Sequence, residues 1–144
     1  MPSIPSPALA DVSLEARRLA DRFVRWTLAV GHPVNGRDAA DIAALVLERA
    51  HWFAKPVHLW RATDVYRSLR STVHNWYALE RPGAPEPDDL PEVLWRWFDF
   101  LDAEGLFHPG SASVVELREA LRCLYFGLDA DGRLGPRDRS SWSA

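Results

Sequence analysis

Four side chains between residues 48 and 74 are of types that bind transition metals. Glu48 and His51 are three residues apart, a spacing that places both on one face of a helix. His58 and His74 follow, and three histidines are enough to hold a zinc ion. Di-iron bundles need two Glu-x-x-His pairs and two further glutamates, whereas one such pair occurs here. The four residues predict either a metal or small-molecule site inside a helical bundle or separate side chains on surfaces and loops.

Two further motifs lack parts that their chemistry requires. Asp129-x-Asp131-Gly132 matches the start of a calcium loop, but the twelfth position is Ser140 instead of glutamate, so a turn is the preferred interpretation. Cys123 is the only cysteine, has no neighbouring base in the sequence, and is expected to be a buried structural thiol. No glycine-rich phosphate loop, zinc-finger pairing or nucleophile elbow occurs. The sequence favours a non-enzymatic protein, and we expect no cofactor.

Three arginines offer a weak indication of nucleic-acid binding. Arg61, Arg67 and Arg70 lie at or just before a predicted helix that follows a shorter helical segment, an order that imitates a helix-turn-helix. The connection over residues 55–62 is longer than the tight turn of that motif. The net charge is −3, whereas nucleic-acid-binding domains usually carry a basic excess. A DNA-binding regulator is therefore an alternative, and nucleic acid is not the expected partner.

An acidic segment and seven tryptophans indicate a protein-binding surface. Residues 80–104 contain eight acidic residues and two arginines, a local charge of −6, which leaves about +3 for the rest of the chain. On a helical wheel, Trp95 and Trp52 fall outside the apolar stripes of their helices, beside acidic residues. Exposed tryptophans beside charge are typical interface anchors; the alternative is that these helices are buried on two sides. The candidate partner-binding residues are Trp95, Glu92, Asp99, Asp102 and Trp52.

Helical periodicity accounts for most of the chain. Apolar residues recur every three or four positions, and no segment alternates with period two, so we predict an all-α, single-domain bundle of about five helices with short loops. Trp97 and Leu121 are predicted to be buried. The predicted helices run from Val12 to Val30, between Asn35 and Pro56, from Thr63 to before residue 81, from Leu90 to Gly105 and from Ser113 to Gly127.

Local signals divide the chain and cap these helices. Residues 1–10 hold three prolines and are predicted to be a disordered arm, residues 11–128 form the helical domain, and residues 129–144 form a flexible tail. Thr63 is a possible N-cap, and Gly105 is a natural C-cap residue.

The third and fourth predicted helices share a pattern of mostly apolar positions over roughly residues 58–107, about a third of the chain. Its residues are Trp60, Asp64, Val65, Leu69, Trp76, Leu90, Pro91, Glu92, Val93, Leu94, Trp97, Phe100, Gly105 and Leu106. This pattern resembles a family of uncharacterised all-helical domains from high-GC bacteria. The resemblance implies a helical fold and supplies no catalytic residues. Two positions depart from the family pattern, Trp95 and Asp99.

The leading functional hypothesis is a protein–protein interaction module, with self-association as one of its possible modes. One cysteine allows no intramolecular disulfide, which favours a reducing compartment. The first 25 residues lack the order of a signal peptide, and no apolar run reaches the length of a membrane span. We therefore expect a cytoplasmic protein whose partner is a protein or a second copy, with no membrane contact.

Overall fold

The computed structural model describes residues 7–31, 33, 58–69, 74, 78, 82–83, 90–124, 128 and 132. Within these ranges the chain forms four helices and no β-strand, as the periodicity predicts. The predicted helix between Asn35 and Pro56 lies outside the described residues. The helices are α1 (Pro7–Ala29), α2 (Ala62–Arg67), α3 (Leu90–Ala103) and α4 (Val114–Leu124).

Helix α1 begins earlier than its apolar stripe suggests. Residues 7–10, which we expected in a disordered arm, form its first turn. Proline is favoured at the first helical position, where its missing N–H leaves no bond unmade, so Pro7 starts the helix instead of preventing it. The helix ends at Ala29, before Gly31, whose φ is +77°. Val30, expected in the apolar stripe, is exposed because it lies beyond the last helical residue.

Helix α2 begins one residue earlier than predicted. Arg61 is the N-cap, and its backbone N–H donates to the Asp64 carboxylate over 2.8 Å. Thr63, the predicted N-cap, lies inside the helix instead. An acidic residue in the first turn both accepts a free backbone N–H and complements the positive end of the helix dipole. The chain then widens into a π-type turn at Ser68 and Leu69.

The end of α3 and the start of α4 follow the sequence signals. Gly105 adopts a φ of +64° after α3, where Leu106 N–H donates to Leu101 O over 2.8 Å, as in a Schellman cap. Ser113 caps α4, because its Oγ accepts the Glu116 N–H over 3.2 Å. Helix α4 ends at Leu124.

Helix α3 is the central element, packed by α1 on one side and by α4 on another. Trp97 meets Phe23 of α1 edge to face, with ring centroids 5.3 Å apart. Phe98 meets Trp60, in the segment before α2, in the same manner at 5.1 Å. Trp97 and Leu121 of α4 are buried, which confirms both core predictions.

Candidate functional site

Trp95, the expected interface anchor, is buried with only 4% of its surface exposed. Its expected exposed position is therefore wrong. The helical wheel separated Trp95 from one apolar stripe, but α3 packs against two helices and has no wholly solvent-facing side. Gly132 lies against the indole, and the Arg118 guanidinium sits 5.4 Å from the ring centroid. Trp95 thus belongs to the core of this structure.

The Asp99 carboxylate is paired with two arginine side chains of the same chain and is not left exposed for a partner. The Arg118 guanidinium of α4 forms a close ion pair with its carboxylate. Arg96, one turn earlier in α3, lies 3.8 Å from the other carboxylate oxygen. The Nε atom of Arg118 is buried without a hydrogen-bond partner in the part of the chain that the structure describes. Arg118 therefore links α4 to α3 through both Asp99 and Trp95.

The other predicted partner-binding residues do not form one surface with Trp95. Glu92 is half-buried and engaged in an interaction, whereas Asp102 is exposed near the end of α3. Trp52 lies outside the described residues. The sequence did not predict that Arg118 and Gly132 contact Trp95, or that Arg118 pairs with Asp99. Neither spacing nor residue type reveals which residues that are distant in sequence will come into contact.

His58 pairs with His108, which the sequence analysis did not select. Their ring centroids are 5.3 Å apart, and His108 N–H donates to His58 O over 3.0 Å. Burial lowers the pKa of His58, the nearby His108 lowers it further, and Glu15 of α1 opposes the shift. Partial desolvation penalises the imidazolium more than the neutral ring. The surroundings of His58 therefore favour its neutral imidazole.

The histidine pair is poorly suited to bind a metal. His108 Nδ1 accepts the Gly110 N–H over 2.9 Å, so a neutral ring carries its proton on Nε2 and has no free lone pair. Among the described residues, no group of three histidine, cysteine, aspartate or glutamate side chains is placed to hold a metal ion. His74 is exposed, and Glu48 and His51 lie outside those residues.

Ser111 joins the segment before α2 to the loop before α4. Its Oγ accepts the Trp60 N–H and donates to His58 O, each over 3.2 Å. Trp60 O in turn accepts the Ala112 N–H over 2.9 Å. These bonds satisfy loop backbone groups that would otherwise be costly to bury. They fix His58 beside His108.

The structure describes two of the three arginines predicted to contact nucleic acid, and these two do not form a basic patch. Arg61 donates its Nε–H to Gly110 O over 3.4 Å, which places it against the α3–α4 loop. Arg67 is exposed but engaged in another interaction. Arg70 lies outside the described residues.

Cys123 is exposed, so the prediction of a buried thiol is wrong. The inner face of α4 is formed by Leu117, Ala120 and Leu121. Cys123 lies two positions beyond Leu121, about 200° around a helix of 3.6 residues per turn. It consequently points away from the core.

The outer sides of α1 and α4 carry mainly charged side chains, and a few large apolar residues are exposed among them. On α1, Leu14 and Leu28 are 48% and 62% exposed. On α4, Val115 is 68% exposed. Leu14 and Val115 lie opposite the buried positions of their helices, whereas Leu28 lies about 100° around α1 from the buried Thr27.

No protein-family model, curated protein or solved structure matches the chain. None of the helices in the described ranges has the length and apolar character needed to cross a membrane.

Proposed function

We propose that this chain is a non-enzymatic protein–protein interaction module that binds through the outer face of α1. We define this face as one strip of exposed residues that recur every three or four positions along α1. The observation that carries the proposal is the pair of exposed leucines at the two ends of this charged face. The outer face of α1 consists of Leu14, Arg18, Asp21, Arg25 and Leu28.

The two leucines frame a strip suited to contact another protein. They are fourteen positions apart, about 21 Å along a helix rising 1.5 Å per residue. Arg18, Asp21 and Arg25 lie between them, and none of the three is in an ion pair among the described residues. Arginine is enriched at interface hot spots, where long side chains add both apolar stem and charge. An acidic helix face would complement this strip.

The proposal moves the binding surface from Trp95 to α1. Trp95 is covered by Gly132, and Asp99 is paired with Arg118, so neither is displayed. Like the surface that the sequence suggested for the acidic segment, the outer face of α1 combines apolar anchors with charged side chains, which here form no ion pair within the described part of the chain. The partner remains a protein or a second copy of the chain.

The number of helices and the location in the cell are also proposals. We propose a single bundle of about five helices, in which the segment between Asn35 and Pro56 supplies the helix additional to α1–α4. We also propose a cytoplasmic location, supported by the single cysteine and its exposure, which suit a reducing compartment. The metal-binding bundle and the DNA-binding regulator stay alternatives that no observation on the described residues favours.

Site-specific photo-crosslinking of the full chain in its native cells tests this function. A photoreactive phenylalanine derivative at Arg18, in the middle of the outer face, should give a discrete cross-linked protein species. The same derivative at Pro109, exposed in the loop between α3 and α4, is the matched control and should give none. Equal cross-linking at both positions, or none at Arg18, would contradict binding through α1.

A further inference from the structure

We infer that the partner of the α1 outer face is the outer face of α4 on a second copy of this chain, packed antiparallel to it. This inference rests on the proposed function, because it names the partner of the same surface. We define the outer face of α4 by three exposed residues that recur every three or four positions along the helix. They are Val115, Glu119 and Arg122.

The α4 face is complementary in type to the α1 face. It presents one exposed apolar residue, Val115, followed by an acid and a base. Glu119 and Arg122 form no ion pair with other described residues. Glu116, on the flank, adds a second negative charge, although its carboxylate accepts a hydrogen bond from Ser113 Oγ at 3.2 Å. The face therefore holds, beside an apolar anchor, two charged side chains that have no ion-pair partner among the described residues.

The spacing of the two faces matches when the helices run in opposite directions. Leu28 and Asp21 are seven positions apart, as are Val115 and Arg122. Seven positions correspond to about 10.5 Å along each helix axis. Placing Leu28 against Val115 therefore places Asp21 against Arg122.

Between these two pairs, Arg25 comes within one helical turn of Glu119. The antiparallel alignment thus unites one apolar pair and two oppositely charged pairs. A parallel alignment that keeps Arg25 beside Glu119 would place Leu28 toward Arg122 and Asp21 toward Val115. Apolar residues would then face charges, and Asp21 would lose its partner.

Pairing α1 with α1 of a second copy is less favourable. An antiparallel arrangement centred on Asp21 brings the Arg17 and Arg18 end of one helix against Arg25 of the other. Like charges across an interface are repulsive and exclude such partners. Pairing between different faces avoids this repulsion. Each copy then offers one α1 face and one α4 face, which allows a two-fold dimer or a larger closed ring.

Charge reversal with rescue tests the pairing directly. Sedimentation of the full chain at low ionic strength should show concentration-dependent association above the monomer mass. Arg25→Glu and Glu119→Arg should each abolish association, because each places like charges together. The double variant R25E/E119R restores the pair with reversed polarity and should recover association. Asp102→Arg makes the same charge change as Glu119→Arg at an exposed position outside both faces, and should associate like the natural protein.

The outcomes separate this inference from the proposed function. Circular dichroism checks that every variant is folded. A natural chain that stays monomeric while Arg18 cross-links to a different protein would overturn self-pairing and leave the proposed function standing. A monomer without any cross-link from Arg18 would overturn both. Association that survives both single reversals, or that the double variant fails to recover, would also overturn the α1–α4 pairing.

Discussion

Gly132 lies so close to Trp95 that a Cβ atom at this position would overlap the indole ring. Its φ of +78° is also a conformation that side-chain-bearing residues rarely adopt. Gly132 is within the segment predicted as a flexible tail, yet here the chain is placed against the core. Leu128, four residues earlier, is buried as well. The burial of Trp95 therefore depends on residues far from α3 in sequence.

Replacing Gly132 with alanine should uncover Trp95. The left-handed backbone costs about 1–2 kcal/mol for alanine, and overpacking adds about 1–3 kcal/mol. Both energetic costs are removed when the segment that contains Gly132 detaches from Trp95. Fluorine NMR of 5-fluorotryptophan-labelled protein should show the Trp95 resonance, assigned with Trp95→Phe, moving toward its solvent-exposed position.

Gly83→Ala is the matched control for that experiment. Gly83 has a φ of +83°, but no atom lies within 4 Å of a built Cβ. It should lower the free energy of unfolding by only about 1–2 kcal/mol and leave the Trp95 resonance in place. An unchanged Trp95 resonance in Gly132→Ala would argue against the packing.

The link from Arg118 to Asp99 and Trp95 should stabilise the fold modestly. Arg118→Met should lower the free energy of unfolding by about 1–2 kcal/mol, since a partly exposed ion pair contributes up to about 1 kcal/mol and a cation–π contact about 0.5–1 kcal/mol. Urea denaturation measures the change. The comparison is Arg22, which pairs with Glu104 at 3.1 Å and lies 6.0 Å from the Phe100 ring centroid. Arg22→Met should cost less, because this ion pair is more exposed and the ring contact is longer than for Arg118. Equal losses would show that Arg118 is merely another surface charge.

Stability should fall as the pH drops below about 6.5, the ordinary pKa of histidine. The pKa of His58 is lowered in the fold, so the unfolded chain binds the proton more readily than the folded chain. Its contribution is present above the unfolded-state pKa and is lost as the pH decreases toward the folded-state pKa.

Urea denaturation between pH 8 and pH 5.5 measures this dependence. His58→Gln should flatten the profile, whereas His74→Gln, at an exposed position, should leave it unchanged. A natural chain whose stability did not decrease over this interval would contradict the desolvated state of His58.

Trp97 should tolerate phenylalanine better than its burial suggests. Its Nε1–H is buried without an acceptor within the described part of the chain. An unsatisfied buried donor costs about 1–3 kcal/mol, so Trp97→Phe removes a penalty as well as packing. We expect a net change within about 1 kcal/mol from this cancellation, against about 3–5 kcal/mol for Trp97→Ala. Thermal unfolding of both variants measures these changes in stability. Equal losses of stability for Trp97→Phe and Trp97→Ala would mean that the Trp97 Nε1–H has an acceptor.

The sequence by itself determined that the chain is helical, and it determined the ends at which a clear capping signal stands. Periodicity predicted α1, α3 and α4, and capping chemistry placed Ser113 and Gly105, because these signals act within a few residues of the chain. The burial of Trp97 and Leu121 followed from the same stripes. These features depend on local backbone bonds and on one apolar face for each helix.

Only the tertiary structure decided which of the candidate functional residues are buried and which are paired with one another. A helical wheel assumes one buried side, whereas α3 is covered on two, which turned Trp95 from an expected anchor into a core residue. The pairing of Asp99 with Arg118 and of His58 with His108 joins residues 19 and 50 positions apart. Such contacts arise from the packing of whole elements, which residue type and spacing do not specify.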